Sequence, residues 1–145
     1  MEDKFKLTEK HLYNYKDIDK LNKLTDIKIK QLLNDVSVKA ISYEEKSAPT
    51  NAFHSSVEDD VIRRDEHIRS KIDQLRKEKE NRIIEKELID NALELLDIEE
   101  RKLVELRYFK DKLSWTSIAL KLNVSQDTCI RMRRKIIYEL SNWIN

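Results

Sequence analysis

A short basic segment near the end of the chain carries the side chains whose types and spacing predict a defined chemistry. Its apolar residues Cys129 and Met132 fall on one side of a predicted helix. The opposite, outer side then holds five other residues: Gln126, Asp127, Ile130, Arg131 and Arg134. Glutamine and arginine form paired hydrogen bonds with base edges, and an aliphatic group fits a thymine methyl. This face therefore predicts base recognition in a DNA major groove.

Individual contacts follow from the side-chain types. Gln126 suits adenine, Arg131 suits guanine and Ile130 suits a thymine methyl, whereas Asp127 can accept a hydrogen bond from cytosine or stabilise the helix start. The basic cluster Arg133, Arg134 and Lys135 is suited to bind DNA phosphates. The hydroxyls of Ser114 and Thr116, at the start of the preceding helix, are suited to the same role. The complete set of predicted DNA-binding residues is Ser114, Thr116, Ser125, Gln126, Asp127, Thr128, Ile130, Arg131, Arg133, Arg134 and Lys135.

Two short helices joined by a tight turn are needed to hold these side chains. The stretch SWTSIALKLNVSQDTCIRMRRK, residues 114–135, has that pattern. Ile118 and Ala119 supply apolar positions that close a small core, and Ala119 allows the helices to approach closely. Ser125 is a suitable N-cap for the second helix, since its hydroxyl can accept from a backbone N–H two or three residues on. The segment thus predicts a helix-turn-helix.

Composition excludes several other classes of function. The 145 residues include no glycine, one proline and one cysteine, so glycine-rich nucleotide-binding loops and a disulfide framework are absent. Three scattered histidines and one cysteine do not make a conventional structural zinc site. We expect no metal, no cofactor and no catalytic residues, and hence no enzyme. No signal peptide or long apolar run occurs, so we expect no membrane partner and a soluble protein in the cytoplasm.

The net charge of +1 hides a division along the chain. Residues 101–145 contain ten Lys/Arg against four Asp/Glu, whereas residues 57–100 contain nine against fifteen. The basic end is suited to phosphates, and the acidic middle disfavours DNA wrapping along the whole chain. We expect an all-α fold with four parts: an N-terminal helix over 1–46, a loop over 47–56, a long charged helix over 57–91, and a helix-turn-helix domain over 92–145.

The N-terminal helices have a helical apolar rhythm, and we expect the first to fold back on the first half of the second as an antiparallel hairpin. Polar residues such as Asp65, Lys79 and Lys86 interrupt the heptads of the long helix. A helical spacer and a dimerisation coiled coil therefore both remain open. A second copy of the chain, bound through these helices, is one of the expected partners, beside double-stranded DNA.

From Ala92 onward the chain resembles region four of bacterial sigma factors. The residues that carry the resemblance are Leu96, Glu100, Arg101, Val104, Leu106, Arg107, Tyr108, Ser114, Ile118, Ala119, Leu122, Val124, Ser125, Thr128 and Arg131. Asn123 stands where a glycine often lies in the turn, and asparagine tolerates the left-handed conformation. Ser117 replaces a usual acidic residue, and no upstream segment resembles the promoter-melting helices.

The whole chain is similar to the small phage-encoded transcriptional regulators of the ArpU/RinA type. The segments SWTSIALKL and CIRMRRKI carry this likeness, while the N-terminal half matches only in character and length. The resemblance implies sequence-specific binding near a phage promoter and activation of late genes. Two alternatives stay open: a small terminase subunit that binds DNA for packaging, and a sigma-like adaptor or inhibitor that acts on RNA polymerase.

Overall fold

The computed structural model describes residues 2–44, 54–110 and 112–145, with side chains from 3–36, 58–110 and 112–145. Its helices are α1 (Glu2–Tyr15), α2 (Ile18–Glu44), α3 (His54–Leu93), α4 (Ile98–Val104), α5 (Trp115–Leu122) and α6 (Gln126–Ile144). Helix α4 runs directly into a π-helical segment, Glu105–Phe109. The described ranges contain no strand, so the predicted all-α class is confirmed.

Two helices occupy the region that we predicted as one helix over 1–46. A turn separates α1 from α2, and in it the Asp17 N–H donates to the Asn14 carbonyl at 3.0 Å. The predicted loop over 47–56 lies mostly outside the described residues, and α3 already begins at His54. The long charged helix then continues to Leu93, slightly past the predicted end.

The chain forms two compact units, each described here by itself. The first, which we call the terminal unit, consists of residues 1–19 and 82–145, and the second, the middle unit, consists of residues 20–81. In the middle unit Ile29 of α2 and Ile72 of α3 are buried. The Nζ of Lys79 on α3 lies 2.6 Å from Oδ1 of Asp26 on α2, so the two helices contact each other as a hairpin.

Helix α1 belongs to the terminal unit, where it packs mainly against α6. The expected antiparallel hairpin, in which the first helix folds back on the first half of the long helix, therefore does not include α1. Leu12 of α1 is fully buried in the core of this unit, and Tyr13 packs edge-on against Tyr108 with ring centroids 4.7 Å apart. The other buried core residues are Ile89, Ala92, Leu93, Leu96, Leu103, Val104, Leu106, Tyr108, Ile118, Ala119, Cys129, Ile136, Ile137, Leu140 and Ile144.

Polar contacts also hold α1 against the end of α3. Nδ1 of His11 lies 2.5 Å from Oε1 of Glu85, and the Tyr15 hydroxyl donates to the Asp90 carboxylate. Partial burial, together with this hydrogen bond, raises the pKa of Tyr15 to about 12. The first helix is thus an integral part of the unit that contains α5 and α6.

Candidate nucleic-acid interface

The turn between α5 and α6 has the geometry of a helix-turn-helix. Asn123 ends α5 with φ 57° and ψ 44°, which confirms the left-handed conformation predicted for this asparagine. The next residue, Val124, donates its N–H to the Ala119 carbonyl at 3.0 Å, and Ala119 is buried. The small side chain and the left-handed residue together let the chain reverse within three residues.

Both helices begin at a serine whose hydroxyl caps the backbone. Ser114 accepts from the Ser117 N–H at 3.3 Å, and Ser125 accepts from the Thr128 N–H at 3.2 Å. The predicted N-cap role of Ser125 is confirmed. The Oγ of Ser125 also lies 2.8 Å from Oγ1 of Thr128, so these two hydroxyls form a hydrogen bond at the start of α6. At the start of α5, Thr116 is exposed beside the Ser114 cap.

Burial divides α6 into an inner and an outer face. Cys129, Ile136, Ile137 and Leu140 are buried on the inner face, and burial raises the pKa of the Cys129 thiol, which suits a core residue. On the outer face four of the predicted residues are exposed: Gln126, Asp127, Arg131 and Arg134. Ile130 is half-buried. The structure thus brings together the predicted base-reading residues, with Ile130 at the edge of the group.

Arg133 lies elsewhere, in a contact with α1. Its Nε donates to Oε1 of Glu9 at 2.7 Å, and the Tyr108 hydroxyl donates to the same oxygen at 2.6 Å. The Arg133 guanidinium also lies over the rings of Phe5 and Trp115, at 5.1 and 5.4 Å from their centroids. The predicted phosphate contact of Arg133 therefore competes with an internal ion pair.

The Glu9 carboxylate is mostly buried, so its charge state matters for this contact. Burial favours the neutral acid, but hydrogen bonds from Arg133 and Tyr108 and the positive charge of Arg133 lower the pKa of Glu9 below its ordinary value. The same hydrogen bond raises the pKa of Arg133. Glu9 and Arg133 therefore form a fully charged pair between α1 and α6 at neutral pH.

Lys135 also has an internal counterion. Its Nζ lies 2.5 Å from Oε1 of Glu100, a buried carboxylate. Glu100 takes part in a capping box with Asp97 at the start of α4, where its N–H donates to Oδ1 of Asp97 at 2.8 Å. The hydrogen bond to Glu100 raises the pKa of Lys135. Although most of its side chain is exposed, Lys135 has its charge compensated within the unit.

Sequence reasoning missed Glu9 and Arg107 as residues that shape this interface. The Arg107 guanidinium lies over the Trp115 ring at 4.7 Å from its centroid, and Nη1 donates to the Leu113 carbonyl at 2.8 Å. Arg107 thereby fixes the segment that leads into α5. The residue appears in the sigma-like pattern, but nothing in the sequence indicated its contact with Trp115. Glu9 carries no sequence signal, since its partner is remote in the chain.

Comparison with known proteins gives a family and one partial relative. Residues 19–142 match the family described as "Protein of unknown function (DUF722)". Over 88 residues the chain is 31% identical to an RNA polymerase sigma-F factor of Bacillus licheniformis, which covers 61% of this chain and 34% of that protein. The chain thus spans about a third of the length of this relative. No solved structure matches. Among the described helices, none has the length and apolar character to cross a membrane.

Proposed function

We propose that this chain, which belongs to the DUF722 family of proteins of unknown function, is a sequence-specific DNA-binding protein that regulates transcription. In its finer form the proposal is a phage late-gene activator, and the role is one of binding rather than catalysis. The observation that carries it is the exposed face of α6, presented by a helix-turn-helix with serine caps on both helices. The partial likeness to a sigma factor supports a role in transcription.

Base recognition in this proposal belongs to the first half of α6. Gln126 bonds adenine, Arg131 bonds guanine, and Ile130 contacts a thymine methyl at the edge of the face. Asp127 lies in the first turn of α6, where its charge favours the helix dipole. Phosphates are held by Arg134, together with Ser114 and Thr116 at the start of α5. We assign Arg133 and Lys135 no phosphate, because Glu9 and Glu100 already neutralise them.

Selection of bound DNA from a random library, with the purified full chain, tests the proposal. The recovered sequences should share a motif, and the motif placed near a promoter should change transcription in vitro. Arg131→Ala should weaken binding by about 1–3 kcal/mol, or roughly five- to 150-fold, and relax the preference at one base position. Arg69→Ala removes an exposed arginine of the middle unit and serves as the control.

Enrichment of no sequence by the wild-type chain would refute specific DNA binding. An Arg131→Ala variant that keeps both its affinity and its base preference would refute the assignment of the recognition face. These two outcomes differ, since the first concerns the function and the second concerns only the placement of its residues.

A second candidate function is action on RNA polymerase itself, and the sigma-F likeness favours it. In this case the chain would associate with polymerase without promoter DNA. Co-purification with polymerase in the presence of nuclease, by the wild-type chain and by Arg131→Ala alike, is the expected result. Association that requires the bound DNA motif would support the first function alone.

A further inference from the structure

A groove between α1 and α6 lies next to the recognition face, and of its lining residues only Arg134 has a role in the function proposed above. Lys4 and Phe5 of α1 form one wall, and Arg134, Tyr138 and Asn142 of α6 line the rest. Arg133 lies at the same groove, held by Glu9. Tyr138 is 67% exposed, which is unusual for an aromatic side chain on a helix that is otherwise well packed.

The groove carries a positive charge, because three cationic side chains line it and one of them, Arg133, is paired with Glu9. No carboxylate lines it, and neither Lys4 nor Arg134 forms an ion pair with a residue whose side chain the structure describes. Both side chains are exposed. By contrast, Glu9 neutralises Arg133 at the same groove. Lys4 and Arg134, together with the tyrosine hydroxyl and the asparagine amide beside them, supply the donor types that contact DNA phosphates.

The distance along α6 places this groove beyond the bases. With a rise of about 1.5 Å per residue, Arg134 lies about 12 Å and Tyr138 about 18 Å along the helix axis from Gln126. The major groove is about 12 Å wide. When the start of α6 reads base edges, its second half therefore reaches the phosphates at the margin of the groove. Lys4 is brought to the same place by the packing of α1 against α6.

We propose that this groove binds the sugar–phosphate backbone that borders the major groove read by α6. Lys4 and Arg134 are its charged contacts, and the Tyr138 hydroxyl donates a hydrogen bond to a phosphate oxygen. Helix α1 is then part of the DNA-binding surface as well as of the core. This inference rests on the DNA-binding function proposed above.

The salt dependence of binding separates phosphate contacts from base contacts. For the full chain, Lys4→Ala and Arg134→Ala should each make the negative slope of log K against log [salt] shallower by about 0.9, and the double variant by about twice that. The loss of affinity should be equal for the selected motif and for a DNA with a mismatched base pair. Tyr138→Phe should lower the affinity for both DNAs equally and leave the salt slope unchanged, because it removes no charge.

Lys10→Ala is the matched control, since Lys10 is an exposed lysine of α1 that does not line the groove. If the salt slope is unchanged in the Lys4→Ala and Arg134→Ala variants while Arg131→Ala still relaxes base preference, phosphate binding by the groove is refuted. The proposed DNA-binding function is not refuted by that result. A loss confined to one base position would also overturn it. If the wild-type chain binds no DNA, both the proposed function and the proposed role of the groove are refuted.

Discussion

Removal of the Leu12 side chain tests whether α1 is part of the terminal unit. Leu12 is fully buried, whereas Leu7 on the same helix is 44% exposed. Leu12→Ala deletes three carbons, a transfer term of about 2.4 kcal/mol at about 0.8 kcal/mol for each. The cavity left behind brings the expected loss to roughly 3–5 kcal/mol. Leu7→Ala should cost only about 1 kcal/mol, because roughly half of this side chain is already exposed and alanine favours the helix.

Urea unfolding followed by tryptophan fluorescence measures this difference in the right part of the molecule. Both tryptophans, Trp115 and Trp143, belong to the terminal unit, so the signal reports that unit and not the middle one. Leu12→Ala should lower the urea midpoint well below those of the wild-type chain and of Leu7→Ala. DNA affinity, measured at a temperature where the variant is still folded, should remain near that of the wild type.

Equal midpoints for Leu12→Ala and Leu7→Ala would refute the reasoning. In that case α1 would contribute nothing to the stability of the unit, and residues 82–145 would form the helix-turn-helix core by themselves. The Glu9–Arg133 pair would then have no structural role. A stable, cooperatively folded fragment made of residues 92–145 would refute it equally, since that fragment lacks Leu12 and Ile89.

Substitutions at two further positions, Glu9 and Asn123, test the contacts around α6. The pKa of Glu9 is lowered in the folded chain from an ordinary value of 4.5, so its stabilising effect is present above that value and is lost as the pH falls through the folded value. Glu9→Gln should therefore be less stable than the wild type at pH 7. The difference in melting temperature between the two proteins should shrink between about pH 5 and pH 3. A melting-temperature difference that does not change with pH would contradict the charged pair. Asn123→Val should destabilise the terminal unit by about 1–2 kcal/mol, because a β-branched residue resists the left-handed conformation, whereas Asn123→Gly should change stability by less than about 1 kcal/mol in urea unfolding. Equal effects of valine and glycine would show that the turn is not held in this conformation.

The local elements of the site could be predicted because their signals lie within a few residues of each other. Ser125 caps α6 through an N–H three residues on, and Asn123 adopts the left-handed conformation expected of a residue that replaces glycine in a turn. The exposure of Arg131 and Arg134 likewise follows from the apolar period of one helix. Such features need no knowledge of the rest of the chain.

The contacts of α1 could not be predicted in the same way. An amphipathic pattern shows that a helix has an apolar face, but it does not show which other helix covers that face. Glu9 and Arg133 are separated by 124 positions, so no local pattern distinguishes Arg133 from its neighbour Arg134. In the structure Arg133 is paired with Glu9, whereas Arg134 is exposed.

The terminal unit is built from two segments that are far apart in the chain, residues 1–19 and 82–145. On the ribosome, α1 is synthesised well before α6, the helix against which it mainly packs, so the unit is completed only after the helix-turn-helix has been made. Closing such a long intervening segment costs only slightly more free energy than closing a shorter one, because the entropic cost of loop closure grows with the logarithm of loop length. It does slow folding, because distant contacts form late. A nascent chain therefore leaves the apolar face of α1 uncovered until α6 has been synthesised.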